Sequence, residues 1–264
     1  SMTEVKRALV TGAAARVGRA MALDLAASGW DVAVHYNGSA EAAADVAGDI
    51  TGMGRRAVTL QADLGDNAVV SQLVGRAADG LGGPISLLIN NASTFDYDTL
   101  GTITDDSWEA AQASNLRAPV LLTQAFAAQA PKALPDARGE PVAQSVVVNL
   151  IDQRMLKTTP MFMSYTLAKS ALLTFTRTSA QALAPHVRVG AIGPGPTLAA
   201  TNQTDEHFAR QRAACVLGRG SDPEDIVHAL RFIIGNKAFT GQMLAIDGGQ
   251  HLAWQTPDVV GTGE

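Results

Sequence analysis

RALVTGAAARVG, residues 7–18, contains the features that decide the fold: a short apolar run, a turn of small residues, and the start of an amphipathic stretch. A helix that starts directly after such a turn offers unpaired backbone N–H groups, and small residues let the backbone come close to a pyrophosphate. The alternative is that this segment is an ordinary turn that contains glycine and binds no ligand. The strand–turn–helix order at the start of the chain favours a dinucleotide-binding unit.

Strand-like and helical stretches alternate along the rest of the chain. The predicted strands are Arg7–Thr11, Asp31–Tyr36, Ala57–Gln61, Ile85–Asn90, Ser145–Leu150, Val187–Ile192 and Met243–Ile246. The predicted helices are Val17–Ser28, Ala40–Thr51, Ala68–Asp79, Asp105–Gln129, Met163–Ala184 and Pro223–Ile234. Near-continuous apolar strands joined by helical crossovers are typical of a parallel sheet with helices on both faces. We therefore predict an α/β fold, a single doubly wound Rossmann-type domain with a parallel seven-stranded sheet.

Two polar segments interrupt this alternation. Residues 131–141 are expected to form a surface loop. Residues 193–212 are expected to form a loop beside the substrate, because ligands bind outside the carboxyl ends of such strands. Ser1 before Met2 is expected to be left over from cloning, and the single domain is expected to span residues 1–264.

The composition excludes several classes of function. The 264 residues carry a net charge of −5, which offers no basic surface for nucleic acid. No apolar run reaches the ~18 residues of a membrane span, so we expect no membrane partner. Cys215 is the only cysteine, which is typical of a chain in the reducing cytoplasm. The histidines show no metal-ligand spacing, and we predict no metal site.

Side chains at the ends of the first two strands predict which dinucleotide binds. Enzymes that use NAD usually place a carboxylate at the end of the second strand, and residues 35–39, HYNGS, contain none. A 2′-phosphate would instead meet the guanidinium of Arg16, the imidazole of His35 and the hydroxyl of Ser39. We therefore predict NADPH/NADP as the cofactor. The alternative is that Arg16 and His35 are only solvated.

Further candidates for the cofactor site follow the later strands. Asp63 could accept a hydrogen bond from the adenine amino group, or it could cap a helix. Amides after the fourth strand, at Asn91 and Ala92, could hold the adenosine ribose and the local backbone. The remaining predicted cofactor-binding residues are Gly12, Val17, Gly18, Tyr36, Leu64, Tyr165, Lys169, Pro194 and Gly195.

Tyr165 and Lys169 are spaced as a proton donor and its cation. Residues four apart lie on one face of a helix. Tyrosine loses its proton near pH ~10, and a cation ~4 Å away favours the phenolate by about 4 kcal/mol. A buried tyrosine beside a surface lysine would show the same spacing. Asp152 lies thirteen residues before the tyrosine and is the third candidate catalytic residue. The alternative is that Asp152 only caps the loop that follows it.

Together, these residues resemble the short-chain dehydrogenase/reductase family over nearly the whole chain. The motifs that carry the resemblance are the 11–18 loop, Asn90-Asn91-Ala92, Asn115, Tyr165 with Lys169, Pro194-Gly195, Thr240-Gly241 and Asp247-Gly248-Gly249. The resemblance implies that Tyr165 donates a proton and that Lys169 binds the nicotinamide ribose. It also implies that Asn115 holds a water linking Lys169 to solvent, and that the protein is a homotetramer.

A finer resemblance is to pteridine reductases and to bacterial dihydromonapterin and dihydrofolate reductases of this fold. TGAAARVG, HYNGSA, QADL, NNASTF and the Asp152…Tyr165-x-x-x-Lys169 spacing carry it. Most relatives have serine where this chain has Asp152. This finer resemblance implies that Phe95 stacks on a pterin, that Ser93 hydrogen-bonds the pterin or a cofactor phosphate, and that Arg16 reaches the pterin edge. With Asp152 and Tyr165, these are the predicted substrate-binding residues. The alternative for Phe95 is a core aromatic residue. One departure is that Asn37 and Gly38 stand where those reductases often have a second basic residue.

The carboxylate of Asp152 bears on the direction of the reaction. An ionised Asp152 opposes a neighbouring phenolate, so Tyr165 should stay protonated and act as a proton donor. The predicted function is NADPH-dependent reduction of a pterin-type C=N bond. The first alternative is reduction of an ordinary ketone or other carbonyl, and a remote alternative is a protein that senses NADP(H) without turnover.

Overall fold

The computed structural model describes residues 6–261. Its main-sheet strands are β1 (Lys6–Val10), β2 (Trp30–Tyr36), β3 (Ala57–Gln61), β4 (Leu87–Asn90), β7 (Ser145–Leu150), β8 (Val187–Pro194) and β9 (Met243–Ile246). The short strands β5 (Leu134–Pro135) and β6 (Pro141–Val142) form a separate antiparallel pair. The helices are α1 (Arg16–Ala27), α2 (Ala40–Gly52), α3 (Asn67–Leu81), α4 (Asp105–Gln112), α5 (Ala118–Gln129), α6 (Met163–Leu183), α7 (Asp205–Ala213) and α8 (Pro223–Gly235).

The seven main strands form one parallel sheet in the order β3-β2-β1-β4-β7-β8-β9. The predicted Rossmann-type α/β fold is confirmed. The order of the strands reverses between β1 and β4, where Val10 pairs with Ile89. Ligands bind at such a switch point, beyond the carboxyl ends of the strands. The candidate site residues after β1 and β4 are therefore brought to one place.

The hydrophobic core has two layers, one on each face of the sheet. In β1, Ala8 and Val10 pack on one face with α1 and α8, while Leu9 packs on the other face with α3 and α5. Successive side chains of a strand point to opposite faces, so a strand covered on both sides needs an unbroken apolar run. This requirement explains why the sheet could be predicted from the sequence.

The predicted helix Asp105–Gln129 is interrupted by one π-helical turn, Ala113–Arg117, between α4 and α5. Pro119 has no N–H to donate to the carbonyl of Asn115, so regular α-helical hydrogen bonding cannot continue there. In addition, the Asn115 side chain donates to the Ala111 carbonyl at 3.0 Å. Single π-helical turns inside helices often occur at functional sites.

The predicted loop 193–212 ends earlier than expected, because α7 begins at Asp205. Thr204 caps α7 by accepting the backbone N–H of His207 at 3.1 Å. No residue of α7 is buried, so the helix leaves no hydrophobic periodicity in the sequence. None of the helices within residues 6–261 is both long and apolar enough to cross a lipid bilayer.

Candidate active site

The loop between β1 and α1 requires glycine at two positions. Gly12 has a φ of +60°, and a Cβ there would lie 3.0 Å from Ala92 Cα. A Cβ on Gly18 would lie 2.1 Å from the Gly12 carbonyl oxygen and 2.5 Å from Asn91 Nδ2. The loop is therefore folded tightly against the residues after β4, and any side chain at position 18 forces it to move.

Thr11 and Asn91 tie this loop to the end of β4. Thr11 Oγ1 accepts hydrogen bonds from the backbone N–H groups of Asn91 at 2.9 Å and Ala92 at 3.0 Å. Asn91 Nδ2 donates to the carbonyls of Thr11 at 3.0 Å and Gly12 at 3.1 Å. Asn91 therefore holds the local backbone, one of its two predicted roles. Thr11 was not among the predicted site residues, although a fully buried hydroxyl at a strand end must find partners.

His35 has a different role from the predicted one. Its side chain is buried, and Nε2 lies 2.9 Å from the Ala62 carbonyl, which can only accept a hydrogen bond. The proton is therefore on Nε2, and Nδ1 accepts the backbone N–H of Gly12 at 3.0 Å. Burial lowers the pKa of His35, which agrees with a neutral ring. The imidazole supports the loop and is not available to a 2′-phosphate, which corrects the prediction.

A cavity of about 870 Å³ brings together most of the candidate binding residues. Its lining includes Gly12, Arg16, Val17, Gly18, Asn91, Ala92, Ser93 and Phe95. Arg16 is exposed at a φ of +57°, and its Nη2 donates to the Leu198 carbonyl at 3.3 Å. The guanidinium thus reaches from the loop after β1 to the segment after β8.

Other predicted cofactor residues lie outside the lining of this cavity. They are His35, Tyr36, Ser39, Asp63, Leu64, Pro194 and Gly195, together with the helix pair Tyr165 and Lys169. Asp63 is exposed and accepts the backbone N–H of Gly65 at 2.8 Å. The cap of α3 is Asp66, so the alternative interpretation of Asp63 as a helix cap is wrong.

A Cβ on Gly195 would lie 2.6 Å from Asp247 Cβ, so this glycine is needed for close packing.

Tyr165 and Asp152 form a hydrogen-bonded pair. The Tyr165 hydroxyl donates to Asp152 Oδ2 at 3.0 Å, and Asp152 Oδ1 accepts the backbone N–H of Arg154 at 2.7 Å. Burial raises the pKa of Asp152. Burial and the adjacent carboxylate raise the pKa of Tyr165 well above its usual value. The phenol is therefore neutral at physiological pH and keeps a proton that it can donate.

Lys169 lies one helical turn after Tyr165 and is fully enclosed. Its Nζ donates to the Leu150 carbonyl at 2.7 Å and lies 5.8 Å from the centroid of the Tyr165 ring. Burial lowers the pKa of Lys169 to about 8, against the opposing effect of Asp152.

Asn115 Nδ2 donates to the carbonyls of Thr94 and Ala111, both at 3.0 Å. Its Oδ1 is buried and accepts no hydrogen bond within residues 6–261.

Phe95 belongs to an aromatic cluster at the edge of the cavity. Its ring is stacked on Phe162 with centroids 4.1 Å apart and planes 8° apart, and it meets the edge of Tyr165 at 4.8 Å. Phe95 is 43% exposed, so it is not a core aromatic residue. Phe162 has a φ of +55°, an unfavourable conformation for a bulky residue, directly before α6. Phe95 therefore connects the cavity lining to Tyr165, which it contacts directly.

Asp98 was missed by sequence reasoning, although it holds the start of α6. It is almost fully buried and accepts hydrogen bonds from the Ser164 N–H at 3.0 Å and Oγ at 2.5 Å, and from Ser107 Oγ at 3.2 Å. Burial alone would raise the pKa of Asp98, but these hydrogen bonds outweigh it and lower the pKa. A carboxylate at a helix N-terminus is stabilising. Ser164, its partner at the start of α6, is 66 residues away, so no local pattern reveals this contact.

Comparison with known proteins agrees with this geometry. The family model described as short chain dehydrogenase matches residues 6–210. The crystal structure of FolM alternative dihydrofolate reductase 1 from Brucella suis, in complex with NADP, is similar with a TM-score of 0.88 and 43% identity, over 96% of this chain and 98% of that one. A short chain dehydrogenase from Burkholderia cenocepacia, in complex with NADP, has a TM-score of 0.84 and 32% identity, over 93% and 97%.

A curated relative points to a different substrate class within the same family. The 3-oxoacyl-[acyl-carrier-protein] reductase of Synechocystis sp. is 31% identical, over 92% of this chain and 95% of its own length. The family match covers well over half of the chain and contains the glycine loop and the Tyr165–Lys169 pair. The chain therefore belongs to the short-chain dehydrogenase family of oxidoreductase enzymes, as its sequence predicted.

Proposed function

We propose that this enzyme uses NADPH to reduce a pterin-type C=N bond in a dihydropterin, pteridine or dihydrofolate. The observation that carries the proposal is the 3.0 Å hydrogen bond from the Tyr165 hydroxyl to Asp152, beside the exposed ring of Phe95. A flat heteroaromatic substrate suits an aromatic platform next to a neutral phenol. The similarity to the Brucella suis dihydrofolate reductase at 43% identity supports this substrate class.

The loop after β1 fits a dinucleotide. Gly12 and Gly18 let the loop pack against Asn91 and Ala92, and the first turn of α1 offers unpaired backbone N–H groups to a pyrophosphate. Asn91 holds this loop in place, and Arg16 brings a guanidinium to the same cavity. When bound, the reduced nicotinamide supplies the hydride. Lys169 has N–H groups beyond the one given to Leu150, which suits its proposed contact with the nicotinamide ribose.

Tyr165 provides the proton that a ring nitrogen needs once the adjacent carbon is reduced. The raised pKa keeps the phenol neutral before the reaction, and Lys169 stabilises the phenolate that the transfer leaves. Asn115 Oδ1 has no protein partner among the described residues, so it can accept a hydrogen bond from a water near Lys169. A proton can then return from solvent through this water and Lys169.

Reduction of an ordinary carbonyl is the second candidate function. The Tyr165–Lys169 pair and Asn115 would serve either substrate, and the Synechocystis sp. relative is named as a 3-oxoacyl reductase. The deciding experiment follows NADPH oxidation with dihydrobiopterin, dihydromonapterin and dihydrofolate, against a panel of ketones. We expect the highest kcat/KM with a dihydropterin or dihydrofolate. A ketone that exceeds all of them would contradict the proposal.

Replacing Asp152 by serine is expected to reduce kcat/KM for the dihydropterin by about 10- to 100-fold, because a charged hydrogen-bond partner is lost. Ketone reduction should fall less, since a serine hydroxyl can also donate a hydrogen bond to a carbonyl oxygen. Steady-state kinetics with both substrates measures the difference. Asp96→Ser is the control, because Asp96 is an exposed carboxylate that lines the same cavity. An equal loss for both substrates with Asp152→Ser would show that Asp152 does not select the pterin.

Arg16 is the cation that we propose for the 2′-phosphate, since His35 is committed to the loop. Arg16→Gly is expected to raise KM for NADPH by about 10- to 100-fold and to leave KM for NADH nearly unchanged. Glycine accepts the φ of +57° without strain, so the loop is preserved. Arg19→Ala is the control, because Arg19 lies on the same helix as Arg16 and forms only an exposed ion pair with Asp49 of α2. A similar loss with both cofactors would refute selection by charge.

A homotetramer in the cytoplasm remains the proposed assembly and location. β9 is an edge strand, and Val216, Leu217, Phe232 and Leu252 expose apolar surface along the groove beside it. Edge strands and large apolar patches are usually covered in soluble assemblies. This surface supports an oligomer in which β9 and α8 lie at an interface between subunits.

A further inference from the structure

Arg154 lies at the reacting end of the site, although neither the sequence nor the proposed mechanism assigns it a role. It belongs to a short 3₁₀ turn, Gln153–Met155, directly after Asp152. Its guanidinium carbon is 5.2 Å from the centroid of the Phe162 ring and 5.9 Å from that of Phe95. The cation therefore lies beside the stacked rings of Phe95 and Phe162, which line the cavity, and close to the Asp152–Tyr165 hydrogen bond.

Most of the hydrogen-bonding capacity of Arg154 is unused. A guanidinium has five N–H donors. Nη1 donates to Thr159 Oγ1 at 3.0 Å, whereas Nε is buried without an acceptor and Nη2 has none within residues 6–261. Arg188 provides a contrast, because its two terminal nitrogens donate to three backbone carbonyls. Arg188 holds backbone segments together, whereas Arg154 has N–H groups without an acceptor beside the rings that line the cavity.

We propose that Arg154 is a specificity-determining residue that donates hydrogen bonds to an oxygen acceptor on the ring edge of the flat substrate. The inference rests on the proposed function, because it requires a ring held against Phe95 near Tyr165. Charge-assisted hydrogen bonds from a guanidinium are strong and directional. The site therefore prefers a pterin with a ring oxo group to an analogue with an amino group in its place. A ring amino group donates hydrogen bonds and would oppose the cation.

The test compares Arg154→Met with Thr159→Val. Methionine keeps an apolar stem against the aromatic rings and removes every side-chain N–H, while valine at position 159 removes the only acceptor that the guanidinium has within residues 6–261. The readouts are kcat/KM for a dihydropterin, the inhibition constant of a diaminopteridine, and the Kd for NADPH. We expect Arg154→Met to lower kcat/KM by about 10- to 100-fold. The inhibition constant of the diaminopteridine should fall, because the cation that opposes its amino group is removed. NADPH binding should stay close to wild type, and Thr159→Val should leave all three readouts unchanged.

The outcomes separate this inference from the proposed function. If the wild-type enzyme reduces dihydropterins and Arg154→Met does so equally well, only the role of Arg154 is overturned. An equal loss for the dihydropterin and the diaminopteridine, or the same loss with Thr159→Val, shows a structural role and also overturns it. A wild-type enzyme that reduces ketones and no dihydropterin overturns both the inference and the proposed function.

Discussion

Replacing Tyr165 by phenylalanine is expected to lower kcat by about 10²- to 10⁴-fold, the range typical for loss of a general acid. The hydroxyl that donates to Asp152 at 3.0 Å is removed, while the ring keeps its edge contact with Phe95. The Kd for NADPH should change little, because the pocket loops are untouched. Single-turnover kinetics and fluorescence titration with NADPH measure the two quantities separately.

Tyr97→Phe is the matched control for this variant. Tyr97 is 63% exposed and meets the edge of Phe162, but its hydroxyl has no assigned part in proton transfer. Turnover by Tyr97→Phe should remain near that of the wild type. If Tyr165→Phe also kept wild-type turnover, the proton would have another source. If the wild-type protein bound NADPH and turned over no substrate, the non-catalytic sensing alternative would be favoured.

Gly18→Ala is expected to raise the Kd for NADPH by about 100-fold. The added Cβ would lie 2.1 Å from the Gly12 carbonyl oxygen, so the backbone of the loop has to shift. Overpacking costs about 1–3 kcal/mol, and each 1.4 kcal/mol corresponds to about a tenfold change in affinity. Isothermal titration with NADPH gives the Kd, and thermal unfolding should show a Tm lower by a few degrees, about 2–4 °C per kcal/mol.

Gly48→Ala provides the control for the extra methyl group. Gly48 lies within α2, and a Cβ there meets no atom within 4 Å. Alanine is the better helix former, so stability should stay equal or rise by about 0.5–1 kcal/mol without an effect on NADPH binding. Unchanged NADPH affinity in Gly18→Ala would mean that the loop after β1 does not form the cofactor site.

The sheet and the general position of the site could be predicted because both depend on local patterns. Strands covered on both faces require continuous apolar runs, and a turn that approaches a pyrophosphate requires small residues such as those around Gly12. The Tyr165–Lys169 spacing is equally local, since both lie on one helix. The 3.0 Å contact between Tyr165 and Asp152 was only an expectation, because the spacing alone does not fix where the loop after β7 places a carboxylate.

The features that were missed depend on partners distant in sequence or on the absence of a pattern. His35 resembled a candidate phosphate ligand until Gly12 and Ala62 accounted for both of its ring nitrogens. Asp98 is bound to Ser164, far along the chain. α7 buries none of its residues, so hydrophobic periodicity could not reveal it. His35 and Asp98 are explained by contacts with residues distant in sequence, and α7 by its N-terminal cap. The spacing of apolar residues reveals neither kind of feature.

The stack of Phe95 on Phe162 imposes an order of arrival on the two ligands. Gly12 and Gly18 line the cavity together with the two stacked rings, whereas Tyr165 is buried and is not part of the lining. The dinucleotide region is therefore accessible while the aromatic pair is still closed. We expect a flat substrate that stacks on the face of Phe95 now covered by Phe162 to displace that ring, and the stacking it gains offsets the separation of the pair. Compulsory-order kinetics, with the substrate second, follows from this arrangement.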